Sequence, residues 1–144
     1  MLKKKKARGP NGGKLLTSTK RPSFQTKDDR LNLMIHIKAT FNNTFMTLTN
    51  SQGEVLTWCS AGSSGFKGSR KGTPFAAKKV VEVFIKKSND YFHKCHQIII
   101  CIQGTGPGRQ NAIRGLAKIR KICLLRDLTT IPHNGCRPPK KRRL

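Results

Sequence analysis

Thirty of the 144 side chains are Lys or Arg and six are Asp or Glu, a formal net charge of +24. A compact domain of this size repels itself at such a charge unless a polyanion neutralises it. Position sharpens the constraint. Residues 1–30 carry ten of the cations, from Lys3-Lys4-Lys5-Lys6 to Arg30, and residues 137–144 carry five more in Arg137-Pro138-Pro139-Lys140-Lys141-Arg142-Arg143-Leu144. Half of the positive charge therefore lies in two end segments too polar to fold alone. The chain divides into a basic extended arm (1–30), a folding domain (31–130) and a basic, Pro-containing tail (131–144). The partner that fits this distribution is nucleic acid, bound mainly through phosphate.

The middle segment, about a hundred residues long, suffices for one hydrophobic core but not two. The five cysteines, Cys59, Cys95, Cys101, Cys123 and Cys136, are odd in number and form no Cys-x-x-Cys pair. That pattern reads as small core residues in a reducing compartment rather than as a disulfide framework. No apolar stretch reaches the ~18 residues that a membrane span needs. The N-terminus lacks the apolar segment of a secretory signal and the amphipathic pattern of a transit peptide.

Along the middle segment, Ile35, Ile37 and Ala39 alternate with His36 and Lys38, which predicts a strand. Asn42-Asn43 reads as a tight hairpin turn, because Asn tolerates left-handed backbone. Residues 44–49 and 55–60 are two more strands, separated by Asn50-Ser51-Gln52-Gly53. Trp58, on the third of them, reads as core. Thr73-Pro74 signals a helix start, with Thr as N-cap and Pro at the first helical position. Ala76/Ala77, Val80/Val81 and Phe84/Ile85 give that helix an apolar stripe, which fades near Ser88-Asn89-Asp90. Residues 97–102 are apolar without alternation, as in a strand covered on both faces. A second helix starts near Arg109, with Ala112/Ile113 and Leu116/Ala117 inward and Arg114, Lys118 and Lys121 outward. Residues 123–129 form a last strand. The order β-β-β-α-β-α-β gives a mixed five-stranded α/β sheet with two helices, a topology that resembles ribonuclease H.

Chemistry concentrates in the loops. The segment Ala61-Gly62-Ser63-Ser64-Gly65-Phe66-Lys67-Gly68-Ser69-Arg70-Lys71-Gly72 carries four glycines and three cations just before a helix N-terminus, where backbone N–H groups and the helix dipole attract phosphate. The spacing of a nucleotide P-loop is absent. Gly104-x-Gly106-x-Gly108-Arg109 lacks the third glycine position and the acidic partner of a dinucleotide fingerprint, so Arg109 at the helix start reads as an anchor for an RNA phosphate. His93-Lys94-Cys95-His96 has no second pair at zinc-site spacing. The six carboxylates form no convincing pair or cluster, and a two-metal nuclease needs several inward carboxylates, so its chemistry is absent. Among Trp58, Phe66 and Phe75, Phe66 between Gly65 and Lys67 is the expected base-stacking ring. Pro132, Pro138 and Pro139 keep the tail extended. Asn134-Gly135 is either a site of succinimide and isoaspartate formation or an ordinary Gly-assisted turn.

Four segments in order, Phe41-Asn42-Asn43-Thr44, Ser60 to Ala77, Gly106-Pro107-Gly108-Arg109 and Ile131 to Arg143, closely resemble small-subunit ribosomal protein eleven of the bacterial and organellar type. The resemblance covers residues 33–144. It implies a non-enzymatic rRNA-binding protein of the subunit platform near the mRNA exit side, supporting assembly and translation, with ribosomal proteins seven and eighteen as neighbours. Reading and resemblance together assign RNA contacts to Asn42 and Asn43 in the hairpin turn, and to Phe66, Lys67, Ser69, Arg70, Lys71 and Thr73 in the long loop. Arg109 and Arg114 follow in the second helix, then Asn134, Arg137, Lys140, Lys141, Arg142 and Arg143 in the tail. No cofactor, metal, membrane or small-molecule substrate is expected. Gln103-Gly104-Thr105 stands where bacterial members read Lys-Gly-Pro, Arg126 replaces an acid, and residues 1–30 match poorly. With the Lys-rich composition and the apolar, Cys-bearing later strands, these departures point to an organellar ribosome, mitochondrial ahead of plastid, with bacterial cytoplasm as the alternative.

Overall fold

A computed structural model of the protein describes residues 32–140. The arm over 1–30 and the tail cations Lys141, Arg142 and Arg143 lie outside the described residues. Strands β1 (Asn32–Ala39), β2 (Thr44–Asn50) and β3 (Val55–Ser60) form an antiparallel meander, followed by helix α1 (Pro74–Lys94), β4 (Gln97–Gln103), α2 (Arg109–Leu116) and β5 (Ile122–Asp127). The sheet order is β3-β2-β1-β4-β5, with β4 parallel to both β1 and β5. The mixed five-stranded α/β architecture is the one expected.

Register decides which face is the core. Ile35 stands opposite Leu48 and Ile100, and Ile37 opposite Met46 and Ile102, so the alternating apolar residues of three strands fall on one side. Burying each such Ile or Leu contributes ~1.5–3 kcal/mol, and a slip of one residue would turn the whole row to solvent. Val80, Val81 and Phe84 of α1, together with Ala112 and Leu116 of α2, complete this one core. Both helices therefore lie on the same face. Two right-handed crossovers that step in one direction across a sheet require this.

Among the described residues the other face carries no helix, which corrects two expectations. The unbroken apolar run of β4 reflects its interior place in the sheet and not a second covering layer: Ile99 is half-buried, and Cys101 sits in register between His36 and Arg126. Trp58 is not core. Cys59 pairs with buried Met46, so the neighbouring Trp58 must point to the open face, where it is 57% exposed.

Helix α1 runs to Lys94 rather than fading at 88–90. Ser88 and Phe92 continue the buried stripe from Phe84, and a small polar residue in that stripe hides the continuation from a hydropathy reading. Lys121 is exposed, as expected, but it is not free. Its ammonium donates to the carbonyls of Phe92 (2.7 Å), His93 (3.2 Å) and Cys95 (2.7 Å), neutralising the negative end of α1 from another part of the chain. Ala117 is exposed because α2 ends at Leu116. Strand β5 is set one residue earlier than expected and stops at Asp127, because the Thr129 amide turns back onto the Asp127 carboxylate. Cys59, Cys95 and Cys101 are buried, whereas Cys123 and Cys136 are exposed, and all five are free thiols. Burial pushes the Cys95 thiol pKa up, against the pull of nearby Lys121.

Candidate nucleic-acid interface

The segments singled out in the sequence meet at one end of the sheet, around the β1–β2 turn. Thr40 closes that turn: its amide and hydroxyl both donate to the Asn43 carbonyl, and its hydroxyl accepts from the Asn43 amide. Neither Asn42 nor Asn43 adopts left-handed backbone, since Asn134 is the one non-glycine residue with positive φ among those described. Side-chain bonding does the work that conformational tolerance was expected to do. The Asn43 side chain accepts from the Thr44 amide (2.9 Å) and is half-buried, while Asn42 and Phe41 project outward. Phe41 is 75% exposed.

Three distant glycines press on this turn. A side chain at Gly72 would overlap the Phe41 carbonyl oxygen, one at Gly104 that of Ala39, and one at Gly106 that of Thr40. The Gly106 amide also donates to the Ala39 carbonyl at 3.1 Å. Close backbone approach, which only glycine permits, thus locks the long loop and the β4–α2 loop to the hairpin.

The long loop is built rather than loose. Ser60 and Ser63 exchange side-chain and backbone hydrogen bonds, and the Phe66 amide donates to the Ala61 carbonyl. A 3-10 turn over Gly68–Gly72 then leads into α1. The Thr73 hydroxyl donates to the Arg70 carbonyl (2.8 Å) and accepts from the Ala76 amide (3.2 Å), so Thr73 caps α1 as expected and its side chain serves the fold. Lys67, Ser69 and Arg70 are exposed and Lys71 is half-buried. None of these three cations makes an ion pair among the described residues, where the ion pairs are Lys79–Glu82 and Arg109–Asp127. Uncompensated cations beside the positive end of a helix make a strongly anion-attracting surface.

Phe66 is half-buried against the core and meets Phe75 edge to face, with ring centroids 6.0 Å apart. Phe75 is the open ring of the pair, 69% exposed.

Arg109 lies at this end of the sheet but is turned inward. Its guanidinium donates to Asp127 (2.6 Å), to the Gly104 carbonyl (2.8 Å) and to the Thr129 hydroxyl (3.0 Å). The Thr129 hydroxyl in turn donates to Asp127 at 2.6 Å. The Thr129 hydroxyl first, and then Arg109, hold the Asp127 carboxyl down to about 2. Arg109 thus clamps the start of α2 to the end of β5. Arg114 is not part of the loop cluster. It lies further along α2, in a groove of about 350 Å³ between the helices, with Lys78 and Lys118 beside it and Val81 and Gly115 among the residues lining it.

In the tail, Asn134, Arg137 and Lys140 are exposed, and residues 128–140 form neither helix nor strand. Asn134 itself takes the left-handed conformation (φ 52°) and Gly135 does not, so the bend is borne by Asn rather than assisted by Gly. The carboxylates of Glu54, Glu82 and Asp127 are each bonded to a different partner, Asn50, Lys79 and Arg109. Sequence reasoning missed Phe41 as an exposed ring, although an aromatic residue immediately before a polar turn was the available signal. It also missed the pairing of Arg109 with Asp127 and Thr129, which nothing local announces.

The family model for ribosomal protein S11 matches residues 33–143. Similar proteins include the small ribosomal subunit protein uS11c of Oltmannsiellopsis viridis, 61% identical over 76% of this chain and 84% of the relative. That of Pyropia yezoensis is 50% identical over 83% and 92%. The bacterial uS11 of Nitratidesulfovibrio vulgaris is 50% identical over 77% and 85%. The relatives of the uS11c form, the chloroplast form, overturn the preference for a mitochondrion and point to a plastid. Lys-rich composition and apolar strands report polyanion binding and core packing, which every organellar ribosome demands, so they never carried information about the compartment.

Proposed function

The chain belongs to the ribosomal protein S11 family, structural and non-enzymatic proteins of the small ribosomal subunit, and on that premise we propose how this member grips rRNA. It holds small-subunit rRNA in the platform of a plastid ribosome, near the mRNA exit side, with ribosomal proteins seven and eighteen as its protein neighbours. The contact surface is the end of the sheet where the β1–β2 turn, the long loop and the start of α1 converge. One observation carries this reading: Lys67, Arg70 and Lys71 gather there without carboxylate partners among the described residues. Asn42, Asn43 and Ser69 supply polar contacts, and Thr73 shapes the surface by capping. Arg114 reaches RNA from the groove between the helices. Arg137 and Lys140, on a tail without helix or strand, pass between RNA segments, and Lys141, Arg142 and Arg143 add phosphate contacts, Arg gripping phosphate with two donors.

Sedimentation of tagged protein from plastid extract tests this. The full chain is expected to travel with small subunits at moderate salt, and simultaneous replacement of Lys67, Arg70 and Lys71 by Ala to shift it toward the free fractions. Unchanged incorporation of the triple variant would refute the assignment of the surface.

A further inference from the structure

We propose that Phe75 and Phe41 are stacking faces for unpaired rRNA bases, with Phe66 as the buttress that holds Phe75 in place. This rests on the RNA-binding reading above and adds a base-contacting subsite to a surface otherwise described by phosphate contacts.

A single exposed aromatic ring is ordinary. These two differ in three respects. Phe66 is anchored against the core and meets Phe75 at an interplanar angle of 82°. Such a contact occupies at most one face of Phe75, so the ring is held while a π face remains open. Phe41 projects from a turn whose backbone is fixed by the Thr40–Asn43 bonds and by contact with Gly72. The Phe75 ring and the backbone that carries Phe41 therefore have little freedom left to lose on binding, which favours stacking. Finally, cations flank Phe75 along the chain. Lys71 precedes Phe75, and Lys78 is its i+3 neighbour on the exposed side of α1. Fixed π faces within a positive surface match a ligand that carries both phosphates and flat bases. An apolar protein surface would find the rings but would have to desolvate the cations.

The full-length protein is tested against two fluorescein-labelled probes: a single-stranded oligoribonucleotide and an abasic strand with the same number of phosphates. The wild type is expected to prefer the base-bearing strand. Phe75→Ala and Phe41→Ala should each weaken binding to that strand by about 5- to 150-fold, the range found for loss of one stacking ring. They should leave binding to the abasic strand nearly unchanged. Phe75→Leu keeps an apolar contact for Phe66 but offers no π face, so it should behave like Phe75→Ala, whereas Phe75→Trp should restore the preference. Arg70→Ala with Lys71→Ala should weaken both probes alike. If the Phe variants bind both probes as the wild type does while the cation variant loses affinity, stacking is refuted and the phosphate surface stands. If the cation variant is also unaffected, both readings fall. Normal probe binding by the Phe variants combined with lost incorporation into subunits would assign the rings to a protein neighbour and overturn the proposal.

Discussion

Arg109 shows how a cation in a nucleic-acid-binding chain can be committed to the protein itself. Its guanidinium, the Thr129 hydroxyl and the Asp127 carboxylate form one closed set of hydrogen bonds at the root of the tail. The Asp127 carboxyl is depressed from its ordinary value of 3.8 to about 2, so the charged form is the one the fold favours. The stabilisation from this carboxylate is fully present above the unfolded value and is lost as pH falls from 3.8 through about 2. Side-chain NMR titration should place the Asp127 midpoint near 2. Thr129→Val and Arg109→Gln should each raise it, because each removes a hydrogen bond that favours the charged form. In sequence, Asp127 was one more isolated acid and Arg109 a free cation. Their pairing depends on the parallel register of β4 and β5, which places the start of α2 beside the end of β5, and no local pattern encodes that.

Among the elements, those set by neighbouring residues were legible and those set across the fold were not. The start of α1 follows from Thr73 and Pro74 alone, and the observed bond from the Ala76 amide to the Thr73 hydroxyl is the one the sequence implies. Its end depends on Lys121 reaching three carbonyls from beyond α2, which no window along the helix contains. Thr73→Ala should cost about 1 kcal/mol in urea unfolding, the usual loss for an N-cap. Gly106→Ala should cost on the order of 1–3 kcal/mol or more by the same measurement, because its neighbour is backbone and cannot turn aside. The face of β3 was the other miss. Thr57-Trp58-Cys59 offers two alternations, and the larger ring was assigned to the core, whereas pairing with β2 puts Cys59 there.

For the molecule as a whole, the order of elements along the chain and the family were both within reach of the sequence, because hydrophobic periodicity and four loop motifs constrain them strongly. The one-sided helix layer followed from connection handedness but was masked by the apolar run of β4. Charge sets the behaviour of the whole chain in binding. If about six to ten phosphates are neutralised, rRNA affinity should fall roughly 10³- to 10⁵-fold between about 50 and 200 mM salt. A filter-binding titration across that range should show the steep slope. Deleting residues 137–144 should leave the unfolding transition of the domain in place and reduce incorporation into small subunits, as read by sedimentation. The hairpin between β1 and β2 has a further consequence. Its carbonyls are seated against Gly72, Gly104 and Gly106, so three stretches far apart in sequence share one keystone. A residue inserted into this hairpin would not merely lengthen a surface loop but would unseat the other two. The hairpin should therefore tolerate insertions and deletions as poorly as a core strand does.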